Sequence, residues 1–208
     1  MPTSTFYRLP EEKRLRLIRA CWTEFTRVRF AEISINRIIS TAHIPRGSFY
    51  QYFSDKEDMI RYLLKDMREC FVGILEDILA EAEGDLFAVP LGAFDRFLRQ
   101  EGSTDPMLHR FIQVMRLNRG INDQTFWVNR PELLPDQLWE RVDPRRLRQG
   151  SREFAEHVFF LTMAVLAYAV AETLQDPAQW SRQREILQAR VELLRCGCAA
   201  ADEKEATV

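Results

Sequence analysis

Six consecutive residues, Arg46-Gly47-Ser48-Phe49-Tyr50-Gln51, place a guanidinium, a bare backbone position, two hydroxyls and a carboxamide within two helical turns. The chemistry these groups suit is hydrogen bonding to a duplex. A glutamine such as Gln51 can pair bidentately with adenine, and an arginine such as Arg46 with guanine. Ser48 and Tyr50 can donate to phosphate oxygens, and the Tyr50 ring can also pack on a thymine methyl. Gly47 has no side chain, so a helix N-terminus there can approach a phosphate closely, where free N–H groups and the dipole favour an anion.

That use requires one face of a short helix to be anchored and the other bare. At about 100° per residue, Phe49, Tyr52 and Phe53 fall together, Gly47 and Gln51 lie opposite, and Ser48 and Tyr50 flank them. The sequence therefore predicts a helix over 46–52 held by its aromatic side. Before it, Ser34 is a helix N-cap, and Ile35, Ile38, Ile39 and Ala42 form an inner face. Pro45 separates the two helices, because the residue before a proline is driven out of the α region. An earlier helix is expected over about 10–29, with Leu15, Ile18, Trp22 and Phe25 as its apolar stripe. Together these make a helix-turn-helix whose second helix enters the major groove. Ser54-Asp55-Lys56-Glu57 fits the S-x-x-E capping box. It opens a long helix through Ile60, Leu63, Met67, Phe71, Ile74 and Ile78, ending near Glu83-Gly84-Asp85.

Residues 10–68 resemble the DNA-binding head of tetracycline-repressor-like (TetR family) regulators. The resemblance rests on Phe30, Ile33, Ser34 where the family usually has threonine, Ile38-Ile39, Ala42, and "PRGSFYQYFSDKEDM" at 45–59. One departure is His43, where the family commonly has glycine; histidine tolerates positive φ better than bulky residues do. The resemblance implies DNA contacts at Ser34, Arg46, Gly47, Ser48, Tyr50, Gln51 and Lys56, the lysine reaching a phosphate. It covers under a third of the chain. For the rest it implies only an outline, a helical body that dimerises and often binds a small molecule.

The remaining sequence fits that division. Residues 1–68 hold 13 Lys/Arg against 8 Asp/Glu, and residues 69–208 hold 16 against 23. A basic first third on an acidic remainder suits a nucleic-acid-binding head. With eight glycines and apolar residues at three- and four-residue steps, the expected fold is all-α. It has a three-helix helix-turn-helix head joined by a long helix to an all-helical ligand-binding and dimerisation body. The expected boundaries are 1–54 for the head, 55–198 for the body and 199–208 for a flexible tail. Body helices are expected near 86–100, 106–119, 131–142, 151–175 and 179–196, with 120–136 the least legible stretch.

The body is rich in aromatic residues, most of which belong to its core. An apolar or aromatic effector would also need such side chains, and Phe94, Phe111, Met115, Arg116, Trp127, Phe159 and Met163 are the candidates for its pocket. The helices near 151–175 and 179–196 could be buried within one chain or pair with those of a second copy; the family resemblance implies the pairing. No metal or cofactor is expected. Four cysteines at 21, 70, 196 and 198 form no zinc pattern or disulfide framework. Residues 1–14 lack a signal-peptide apolar region. The longest apolar run, 158–171, is shorter than the roughly 20 residues a span needs, so a cytoplasmic protein without a membrane partner is expected.

The function expected is that of a sequence-specific transcriptional regulator, a repressor released from a near-palindromic operator by a small molecule. A second reading keeps the head but replaces the small molecule with a protein partner. A third, an all-α enzyme, finds no G-x-S-x-G, H-E-x-x-H, Walker or dinucleotide motif to stand on, and the three histidines lie far apart in sequence.

Overall fold

The computed structural model describes residues 2–98, 106–118 and 134–200 of the 208. Ten α-helices and four single 3₁₀ turns hold 79% of these residues, with no strand among them beyond an isolated bridge between Leu147 and Ala199. The chain is all-α, with a helix-turn-helix head and a helical body. Two compact units divide it: residues 2–70 with 106–118, and residues 71–98 with 134–200.

The first unit contains α1 (Ser4–Tyr7), α2 (Glu11–Phe25), a 3₁₀ turn at Phe30–Glu32, α3 (Ile35–Ala42) and α4 (Arg46–Tyr52). It also takes the first part of α5 (Lys56–Glu81) and α7 (Pro106–Leu117). Its core is aromatic. Phe6, Phe25, Phe49 and Phe53 are fully buried, each worth about 1.5–3 kcal/mol on transfer from water. α2 buries half of the stripe expected of it: Trp22 and Phe25 face the core, but Leu17 and Cys21 join them in place of exposed Leu15 and half-buried Ile18. Burial pushes the Cys21 thiol up to about 12, so it stays protonated and acts as a small hydrophobe.

Two helix ends explain how the chain turns into and out of α4. α3 stops at His43, which takes the left-handed conformation at φ 53°, ψ 47°. The Ile44 N–H then donates to the Ile39 carbonyl at 3.1 Å, the six-to-one bond of a Schellman end. Histidine thus occupies the left-handed position where glycine is commoner. The second end is the start of α5, whose cap lies one residue later than the S-x-x-E reading placed it. Asp55 is the cap, its carboxylate accepting from the Asp58 N–H, and Asp58 reaches back to the Ser54 N–H at 3.2 Å. Asp58 is buried whereas Glu57 is exposed, so burial selects the aspartate over the glutamate for the reciprocal role.

The second unit holds the rest of α5, a 3₁₀ turn at Leu86–Ala88, α6 (Val89–Leu98), α8 (Asp136–Trp139), α9 (Arg152–Gln175) and α10 (Trp180–Cys198). α9 packs against α10 and α6. Arg184 forks onto Asp95 with bonds of 2.8 and 2.9 Å, and Arg195 reaches Asp85 at 2.7 Å while stacking on Phe87. α5 ends with Glu83 and Gly84 both at positive φ. The turn brings Gly84 against the backbone of Arg141 and Asp143.

α9 lies where a helix was expected, near 151–175, and runs beyond the apolar stretch 158–171. Its 24 residues are, by length and composition, enough to cross a membrane, although 44% of its most apolar window is buried inside the protein. Residues 152–157 and 172–175, mostly polar, extend the helix past the 14-residue run. Phe160, Leu161 and Tyr168 on α9, and Leu193 on α10, remain exposed.

Candidate nucleic-acid interface

α4 is a seven-residue helix, too short to stand alone in water. Its inner side supplies the missing stability. Phe49 and Phe53 are fully buried and Tyr52 nearly so, with Phe49 and Phe53 ring centroids 5.6 Å apart. Its outer side is left to solvent: Arg46, Gly47, Tyr50 and Gln51 are exposed, and Ser48 is half-buried. Tyr50 keeps 55% of its surface accessible, so its ring is not part of the core. A Cβ built at Gly47 would meet nothing within 4 Å. Nothing inside the protein requires glycine there.

Beside this face lies an open recess of about 330 Å³ lined by Ile33, Ser34, Ile35, Asn36, Arg46, Tyr50 and Lys56. The structure therefore gathers Ser34, Arg46, Tyr50 and Lys56 around one concavity, while Gly47, Ser48 and Gln51 continue along α4 outside it. Ser34 caps α3, its hydroxyl accepting from the Arg37 N–H at 3.4 Å. Lys56 opens α5, with Nζ 3.5 Å from the Ala31 carbonyl. Among the described residues no carboxylate pairs with Lys56. The recess thus carries two cations, two hydroxyls and an amide, a donor-rich lining suited to phosphate oxygens and base edges.

Sequence reasoning missed the residues that hold this surface in place. Glu24 is buried, with one carboxylate oxygen accepting from the Ser34 N–H at 3.1 Å and the other from Arg27 at 2.8 Å. It anchors the start of α3 to α2. Arg16 donates to the Ala42 carbonyl at 2.9 Å, and Asn118, just past α7, accepts from the Phe30 N–H at 3.0 Å. Nothing in the spacing of these polar residues distinguishes them from a solvated helix face.

The effector candidates are not assembled in the same way. Phe94, Phe159 and Met163 are buried in the second unit, and Phe94 lies 6.2 Å from the Trp180 ring. Phe111 and Met115 are half-buried and Arg116 is exposed in the first unit. Trp127 lies outside the described residues. No group of His, Cys, Asp or Glu among the described residues could hold a metal ion.

The fold and this surface define a helix-turn-helix protein. A family model described as "Bacterial regulatory proteins, tetR family" matches residues 17–63, which include α3, α4 and the start of α5. Over that stretch the chain resembles the tetR family's regulators. A putative transcriptional regulator from Pseudomonas aeruginosa PAO1 is 19% identical over 93% of this chain and 96% of its own, with a TM-score of 0.50, and shares the fold. Two further solved structures are similar at lower scores. A TetR family transcriptional regulator from Chloroflexus aurantiacus J-10-FL is 25% identical over 97% of this chain and 100% of its own, at 0.48. The fatty acid degradation regulator FadR from Bacillus halodurans is 14% identical over 90% and 97%, at 0.49. Comparison with curated proteins gives no match.

Proposed function

We propose that this protein is a homodimeric, sequence-specific DNA-binding regulator of transcription, acting in the cytoplasm as a repressor that a small molecule releases from a near-palindromic operator. The observation that carries the reading is the two-sidedness of α4. Its aromatic side is sealed in the core, while Arg46, Gly47, Tyr50 and Gln51 face out beside Ser34 and Lys56. Gln51 and Arg46 read base edges, Ser34, Ser48 and Tyr50 hold phosphates, and Lys56 supplies a point charge to the backbone. Gly47 admits the phosphate to the helix N-terminus.

Exposed Phe160, Leu161, Tyr168 and Leu193 support pairing of α9 and α10 with the same helices of a second copy. A two-fold dimer presents two heads, so the half-sites are related by symmetry and their centres lie about 34–36 Å apart, or a multiple of it. Release needs an effector that prefers the arrangement unable to bind DNA. In the second unit an apolar or aromatic compound would meet Phe94, Phe159 and Met163. The experiment is selection of DNA fragments by the purified protein from a random pool, followed by a compound screen for release. An enriched two-fold motif that a compound displaces supports the reading. Absence of any enriched motif rejects DNA recognition, and an enriched motif that only a protein partner displaces rejects the small-molecule step.

A further inference from the structure

The C-terminal end of α4 lacks the cap that helices usually make for themselves. The next residue, Phe53, is extended at φ −129°, ψ 136°, and no left-handed residue follows to satisfy the last carbonyls. Phe53 N–H takes the Phe49 carbonyl at 2.9 Å. The Gln51 and Tyr52 carbonyls are satisfied from a distant part of the chain. Thr3 Oγ1 donates to the Gln51 carbonyl, and the Thr3 N–H donates to the Tyr52 carbonyl at 2.9 Å. Phe6, one turn further on, is fully buried, with its ring 5.3 Å from those of both Phe53 and Tyr62. Pro2 is buried as well.

We propose that residues 2–7 are a latch that sets the end of the recognition helix, with Thr3 and Phe6 as positioning residues for Gln51. Phe6 seats the segment in the aromatic core. Thr3 then fixes the peptide of the residue whose side chain reads a base. A carboxamide must meet two groups on an adenine edge at once, so a freed peptide at its own Cα degrades bidentate pairing more than a single phosphate contact. The proposal rests on the DNA-reading role given above to Gln51, and it assigns that role a support that no helix-turn-helix spacing contains.

A double-mutant cycle tests it. The variants are Thr3→Val, which removes the hydroxyl and keeps the backbone donor, Thr3→Ser, which restores the hydroxyl, Gln51→Ala, and Thr3→Val with Gln51→Ala. Each is titrated with the operator selected by the wild type and with the same operator changed at the base step whose preference Gln51→Ala loses. Thermal midpoints confirm that each variant is folded. The latch predicts that Thr3→Val lowers discrimination between the two DNAs by about 2- to 10-fold, the worth of one hydrogen bond. Thr3→Ser recovers it, and Thr3→Val has no further effect once Gln51 is alanine. Equal loss in both backgrounds, or no loss in either, overturns the latch while leaving Gln51 as a reader. A Gln51→Ala protein with wild-type discrimination at every step overturns the reading of Gln51, and the latch falls with it.

Discussion

Replacing Lys56 with alanine gives a sharp electrostatic prediction. Lys56 is the first residue of α5, half-buried along its stem, with its ammonium beside the Ala31 carbonyl at the rim of the recess. It is therefore a cation with one weak intramolecular contact. Each phosphate neutralised by a lysine contributes about 0.9 to the slope of log affinity against log salt. In the proposed dimer two heads lose two contacts, so the slope becomes shallower by about 1.8. Between about 50 and 200 mM salt, a fourfold change, the wild type should lose roughly 12-fold more affinity than the variant. Fluorescence anisotropy of a labelled operator at several salt concentrations measures both slopes, with a thermal midpoint for each protein as control. Parallel lines would refute the phosphate role and leave Lys56 as a partner of the Ala31 carbonyl alone.

Three other substitutions probe separate parts of the account. Gln51→Ala should cost about 1–3 kcal/mol at one symmetric base step and relax preference there, as read by binding to a panel of operator variants. Gly47→Ala should split stability from binding. A Cβ meets nothing inside the protein, so the helix should gain about 0.5–1 kcal/mol in denaturant titration, while operator affinity falls because the methyl meets phosphate. Gly84→Ala should destabilise the second unit by about 1–3 kcal/mol. Its φ is 79° and its Cβ would lie 2.5 Å from the Asp143 nitrogen and 2.8 Å from the Arg141 oxygen, and chemical denaturation would reveal the loss.

The helices of the head were legible because their signals agree. Pro45 just before it and a three-aromatic face both place α4 at 46–52, and the structure has it there. The orientation of α2 was legible at Trp22 and Phe25 but not in its first half. Leu15, Leu17 and Ile18 offer overlapping apolar stripes, and only the neighbours of the helix decide that Leu17 turns in and Leu15 out. The α5 cap was misplaced by one residue for a similar reason, since Ser54 and Asp55 can each cap and Glu57 and Asp58 can each answer. Glu24 and Thr3 act through backbone groups 10 and 48 residues away. Periodicity records which face of an element is apolar, and it carries nothing about a remote N–H or carbonyl that a polar side chain will meet. In the body, aromatic content could not separate a core from a pocket: Phe94, Phe159 and Met163 satisfy the first description as well as the second.

Methylation interference on the selected operator tests the central claim most directly, that the exposed side of α4 enters the major groove. Guanine N7 lies in that groove and adenine N3 in the minor groove. The account predicts that N7 methylation at two symmetric positions blocks binding while N3 methylation between them does not. Binding that tolerates every N7 methyl group but fails on N3 methylation would contradict it.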